Sequence, residues 1–146
     1  MVRSLNEDLG ERGWQPLIYR ERHHDHREID TFYRLADFCM VTSLHDGMNL
    51  VAKEFVAARD DDDGALILSR FTGASHELPD ALLVNPYDVE DVAAAIHRAI
   101  TLPAAERRDR MRRMRVQVRE HNIYGWAGLL LDELARMPRV TDRRAA

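Results

Sequence analysis

The sequence predicts an α/β fold: a small parallel sheet alternating with helices, then two C-terminal helices, all in one domain over residues 1–146. Three observations carry this. Short apolar runs are continuous rather than alternating, as strands covered on both faces require. Helical periodicity separates the runs. After the last run, two further amphipathic patterns follow with no strand between them.

Taken in order, Ser4 to Arg12 reads as the last turns of a helix whose purpose lies upstream, as in a fragment of a longer chain or a truncated gene product. The first apolar run is Pro16-Leu17-Ile18-Tyr19. Residues 27–36 place Ile29, Phe32, Tyr33 and Ala36 at helical spacing. The second run is Phe38-Cys39-Met40-Val41-Thr42, followed by a helix over 49–59 with Leu50, Ala52, Phe55 and Val56 partly on one face. The third and fourth runs are Ala65-Leu66-Ile67-Leu68 and Ala81-Leu82-Leu83-Val84. Asp88 is placed to cap a helix running to Ile100, with Val89, Val92, Ala93 and Ile96 as its stripe. Pro103 suits the start of a helix over 103–119, whose apolar stripe is Met111, Met114 and Val118. A last helix, 123–137, carries Trp126, Leu129, Leu130 and Leu134, read as core or as an interface to another domain. Residues 138–146 read as a frayed, charged tail.

Composition narrows the class. The chain is 45% hydrophobic with a net charge of −4, which suits a globular domain and gives no overall attraction to nucleic acid or anionic membrane. No apolar run is long enough to span a bilayer, and the N-terminus lacks the apolar core of a secretory signal. The single cysteine, Cys39, sits in an apolar run and reads as a buried structural thiol. These features point to the cytoplasm.

The segment that bears chemistry is Thr42-Ser43-Leu44-His45-Asp46-Gly47-Met48-Asn49-Leu50-Val51-Ala52-Lys53-Glu54. It leaves a buried strand and opens a helix. Ligands of open α/β sheets bind outside the carboxyl ends of the strands. A helix starting there aims unpaired N–H groups and a positive dipole end at the ligand, which suits phosphate. Gly47 allows a tight turn and close approach; the Asp46 carboxylate can accept from sugar hydroxyls; Glu54 can hold both hydroxyls of a ribose. By residue type alone, a plain Asp-Gly turn with an N-cap is the more ordinary reading.

The string Asp-Gly-Met-Asn-Leu-Val-Ala-Lys-Glu, residues 46–54, resembles the motif of trehalose-6-phosphate synthases and the related glucosylglycerol-phosphate synthases. Gly13-Trp14-Gln15-Pro16-Leu17, the stretch 64–69 with Phe71-Thr72-Gly73-Ala74, and Leu83-Val84-Asn85-Pro86-Tyr87-Asp88 resemble further family segments in order. The resemblance implies a Rossmann-like C-terminal half of the two-domain GT-B architecture. It implies retaining transfer of glucose from UDP-glucose to glucose 6-phosphate, with no metal and no cofactor.

By that resemblance Asp46 holds donor glucose hydroxyls and acts in catalysis, while Gly47, Met48 and Asn49 line the sugar. Leu50 and Val51 amides meet the pyrophosphate, Glu54 binds the ribose, and the loop around His23 lies near the base. The family's Arg and Lys that grip the diphosphate lie upstream of these residues, as does its acceptor domain. Two charge-assisted contacts of about 1.5–3 kcal/mol each would then be missing. Orientation of the acceptor accounts for roughly a further 7–11 kcal/mol. Weak donor binding without turnover is the expectation for the chain alone, with an N-terminal acceptor domain as partner. A glucosylglycerol-phosphate synthase fragment, a non-catalytic sugar-nucleotide-binding module and a truncated remnant stay open beside it.

Other features invite sharper readings and support blander ones. His23-His24-Asp25-His26 lacks zinc-ligand spacing, and Asp60 to Asp63 lacks the pattern of a calcium loop. The arginine-rich stretch 107–119 has no interleaved aromatics and reads as a solvated helix face rather than a nucleic-acid contact. His76-Glu77 follows a strand and is placed to line the cleft.

Overall fold

A computed structural model describes residues 1–11, 13–121 and 123–137 of the chain. Three of the four apolar runs are strands: β1 (Phe38–Val41), β2 (Ala65–Ser69) and β3 (Leu82–Val84), parallel and in the order β1-β2-β3. Phe38 lies opposite Ala65, and Ile67 opposite Leu82. The helices are α1 (Val2–Leu9), α2 (His26–Leu35), α3 (Leu50–Ala58), α4 (Ala74–Glu77), α5 (Val89–Thr101), α6 (Ala104–Glu120) and α7 (Ile123–Arg136). The short α4 has no counterpart in the sequence reading. The predicted tail, 138–146, and Arg12 lie outside the described residues; the first helix, expected to run to Arg12, ends at Leu9 with Gly10 as its cap.

Burial follows the period of two along β2. Leu66 and Leu68 face a cluster with Phe55 and Val56 of α3, Leu78, and Met111 and Met114 of α6. Ala65 and Ile67 face Leu82, Val84 and Ala99 of α5. Every residue of β2 is buried, which explains the unbroken apolar run there. Asp88 caps α5, accepting from Glu90 and Asp91 amides. The buried side of α5 is Val92, Ala95, Ile96 and Ala99; Val89 and Ala93 of the predicted stripe face solvent. Burial pushes the Cys39 thiol up to about 11.

The run at 16–19 is not a strand. Pro16 offers no N–H, and the side-chain amide of Asn6 takes both polar groups of Leu17: it donates to the carbonyl at 2.8 Å and accepts from the N–H at 3.0 Å. The backbone is thus satisfied by a side chain instead of a ladder, and Ile18 and Tyr19 remain exposed. Trp126, Leu129, Leu130 and Leu134 of α7 are also exposed, so they are not core of the described domain.

The basic α6 is more than a solvated face. Its Arg107 and Arg115 reach back to Asp63 and Asp62 in the α3–β2 connection. Arg113 donates to Asp80 at 2.8 Å. Arg59, 6% exposed, caps the carbonyls of Tyr33, Arg34 and Ala36 at the end of α2. The acidic run and the arginine-rich helix are therefore two halves of one clasp that holds α6 on the sheet.

Candidate functional site

The site is built where β1 hands over to α3. Asn49 occupies the left-handed region at φ 60°, ψ 86° and is 6% exposed. Asparagine tolerates that conformation better than most residues. Its Oδ1 accepts from Ala52 N–H at 2.9 Å, capping α3. Its Nδ2 donates to Oδ2 of Asp46 at 2.9 Å. Oδ1 of Asp46 in turn accepts from the Met48 N–H at 3.1 Å and the Asn49 N–H at 2.9 Å. The Asn49 side chain and then the two loop amides hold the Asp46 carboxyl below its ordinary range.

A second loop braces the first. Asp46 N–H donates to Phe71 C=O, Gly73 N–H to Asp46 C=O, and Ala74 N–H to Met48 C=O, so the ends of β1 and β2 continue into a parallel bridge between Asp46 and Thr72. Gly73 is required here by close approach: a Cβ at this position would stand 2.1 Å from the Gly47 carbonyl oxygen. Gly47 is different. It has no positive φ, and a Cβ there would meet nothing within 4 Å. The tight turn is made by Asn49 and Asp46, and Gly47 leaves one side of the loop open.

This arrangement defines what remains available to a ligand. The carboxylate of Asp46 has about four lone-pair sites, and three are filled from within the loop. The Met48 and Asn49 amides are likewise engaged by Asp46. Among the described residues no acceptor takes the N–H groups of Gly47, Leu50 or Val51. All three lie at the carboxyl edge of the sheet, and Gly47, Leu50 and Val51 are exposed.

Glu54 stands one turn beyond Leu50, so the two share a face of α3. Its carboxylate accepts from the Tyr33 hydroxyl at 3.2 Å and lines a groove between α2 and α3. The two helices run in the same direction: Arg59 at the end of α3 binds carbonyls at the end of α2, and Arg34 pairs with Asp60 at 2.6 Å. Their starts, at His26 and Leu50, therefore lie on the same edge as the 46–49 loop.

His23, in the segment before α2, is exposed, and its carbonyl accepts from Arg22. The half-buried histidine is its neighbour His24, set edge-on to Phe32 at 5.8 Å and 3.0 Å from Glu28. Asp25 caps α2 by accepting from Glu28 N–H at 2.8 Å. Among the described residues no group of three metal-ligating side chains converges.

Charge at the mouth is largely self-neutralised. Lys53, the only lysine in the chain, donates to both oxygens of Glu77 at 2.8 Å. Arg70 pairs with Asp91 at 3.3 Å. Glu77 thus holds Lys53 instead of reaching into the mouth. Sequence reasoning singled out neither Tyr33 as a site residue nor the row of rings contributed by the three strand-end loops. In that row His45 lies 6.0 Å from Phe71, and Phe71 5.8 Å from Tyr87. An aromatic residue shortly after each strand was the available signal.

Comparison with known proteins gives a consistent picture. The profile of glycosyltransferase family 20 matches residues 1–136. The chain is 45% identical over 142 residues to a trehalose-6-phosphate synthase of Klebsiella pneumoniae, covering 96% of this chain and 30% of that protein. A trehalose-6-phosphate synthase of Salmonella arizonae is 46% identical over the same shares. An E. coli structure bound with UDP-2-fluoro glucose superimposes with a TM-score of 0.89 at 42% identity, covering 94% of this chain and 31% of that one. A UDP-forming α,α-trehalose-phosphate synthase from Burkholderia xenovorans, in complex with glucose-6-phosphate, gives a TM-score of 0.87 at 41% identity, covering 92% and 30%. The chain thus spans about 30% of the length of the curated relatives it matches.

Proposed function

The chain belongs to glycosyltransferase family 20, and from that premise we propose that it is the donor-binding part of a retaining glucosyltransferase. The reaction is transfer of glucose from UDP-glucose to glucose 6-phosphate, forming trehalose 6-phosphate. One observation carries the reading: the unengaged N–H groups of Gly47, Leu50 and Val51 stand at the head of α3 on the carboxyl edge of the sheet, beside a loop whose Met48 and Asn49 amides are tied to Asp46. Support also comes from a relative solved with UDP-2-fluoro glucose and another with glucose-6-phosphate.

The residues act as follows in this reading. The Leu50 and Val51 amides and the positive end of α3 meet the diphosphate. The open side of Gly47 admits the sugar, with Met48 and Asn49 forming its floor. Asp46 does two things: it holds the loop, and its remaining lone-pair site accepts one glucose hydroxyl. Glu54, on the Leu50 face, takes the ribose, and the segment at His23 borders the base. Catalysis is electrostatic: as the glycosidic bond breaks, negative charge grows on the departing diphosphate, and fixed N–H dipoles stabilise it without reorganising.

Lys53 and Arg70 are tied to Glu77 and Asp91, so the chain brings no uncommitted cation to that charge among its described mouth residues. An acceptor-binding domain, in a longer or separate chain, supplies the phosphate-gripping cations and the glucose 6-phosphate site. By itself the chain binds donor weakly and does not turn over. Calorimetry with UDP and UDP-glucose tests this, with Glu54→Ala as the comparison. Measurable affinity that Glu54→Ala weakens supports the reading. No effect of that substitution, or UDP release on adding glucose 6-phosphate to the chain alone, contradicts it.

A further inference from the structure

The groove between α2 and α3, about 370 Å³, is lined by His26, Ile29, Tyr33 and Glu54 over a floor of Ala57 and Ala58. A glutamate in an exposed helix turn has three freely rotating side-chain bonds and no single direction for its carboxylate. Glu54 differs because a neighbour on another helix holds it. The Tyr33 ring packs edge-on against Phe55 at 6.1 Å, and Phe55 is fully buried. Two side-chain torsions and this contact fix the ring. Its hydroxyl donates to Oε2 of Glu54 at 3.2 Å, across 21 residues of sequence.

Resting on the reading of Glu54 as the ribose-binding carboxylate, we propose that Tyr33 is a positioning residue for the donor. Its hydroxyl anchors Oε2 of Glu54 and leaves Oε1 directed to the nucleoside hydroxyls. One oxygen held by a neighbouring donor lowers the ordering cost of the carboxylate when the nucleoside arrives. The phenol stays protonated, and so remains a donor, throughout the neutral range: burial, and then the Glu54 charge, raise it to about 12. The alanine floor leaves room for a ribose to lie against the wall that Glu54 forms.

The test uses Tyr33→Phe, which keeps the ring and its contact with Phe55 and removes only the hydroxyl. UDP and 2′,3′-dideoxy-UDP are titrated to millimolar concentration by NMR shift against the unmodified chain, Tyr33→Phe, Glu54→Ala and the double variant. The expected result is that Tyr33→Phe weakens UDP by about threefold to tenfold, the range one hydrogen bond supplies. It leaves dideoxy-UDP unchanged, and it adds nothing once Glu54 is alanine. Equal weakening of both nucleotides shows a general structural effect and overturns the inference, as does unaltered UDP affinity in Tyr33→Phe when Glu54→Ala weakens it. If Glu54→Ala has no effect, or no UDP binds, the donor reading falls and this inference with it.

Discussion

Replacing Asn49 with alanine perturbs three things at once, and their sizes can be separated. The cap on Ala52 N–H is lost, which typically removes about 1 kcal/mol. The residue must hold φ 60° with a Cβ and no compensating side chain, which costs about 1 kcal/mol. The bond from Nδ2 to Asp46, at 2.9 Å, goes as well and contributes about 0.5–1 kcal/mol. The sum is about 2.5–3 kcal/mol, or a fall of roughly 6–10 °C in Tm for a domain of this size. Asn49→Gly isolates the strain, because glycine accepts the left-handed backbone; it should be about 1 kcal/mol less damaging than Asn49→Ala. Urea denaturation of both variants measures this. In Asn49→Ala the Asp46 carboxyl, released from its first and largest stabilising partner, should also titrate closer to 3.8, which carbon-detected NMR reads. Equal destabilisation by alanine and glycine would refute the backbone part of this reasoning. A change under about 0.5 kcal/mol for alanine, the size of an ordinary surface substitution, would refute all of it.

Three further outcomes follow from the same geometry. Gly47→Ala, with open space around its Cβ, should leave stability within about 0.5 kcal/mol of the original and yet weaken UDP-glucose; unaffected affinity would remove Gly47 from the donor path. Gly73→Ala drives a Cβ toward the Gly47 carbonyl at 2.1 Å and should destabilise by about 2–3 kcal/mol, visible as a lower urea midpoint, with donor affinity lost alongside. The Asp63 carboxyl is held at about 2, first by its hydrogen bond from Arg107, against 3.8 unfolded. Its contribution is therefore complete above pH 4 and disappears as pH falls toward 2, amounting to roughly 1–2 kcal/mol after solvent screening. Asp63→Asn should show a flatter stability profile than the original chain between those limits, and parallel profiles would dismiss the clasp as a stabilising pair.

Much of the fold was legible because its causes are local or periodic. The run at 65–68 is continuous and apolar because two helical layers cover it, and this burial is written into composition; at 38–41 and 82–84 the cover is partial, and Met40 and Leu83 are exposed. Asp88 announces α5 because a cap acts within three residues. The position of the loop 46–49, between a strand and a helix, was readable as well. The run at 16–19 misled, since apolar content alone does not provide a neighbouring strand, and Asn6 satisfied the backbone first.

What tertiary structure alone decided are the pairings between distant segments. No local rule connects Arg107 with Asp63, 44 residues apart, or Arg115 with Asp62, 53 apart. Nor does any local rule press Gly73 onto Gly47 or set Tyr33 against Glu54. Sequence determines which residues prefer strand, helix or cap, since those preferences act over a few bonds. Which of them then meet is settled only when the sheet and its helices close around a shared core, because apolar burial is non-directional and polar geometry is decided by whatever it brings within reach.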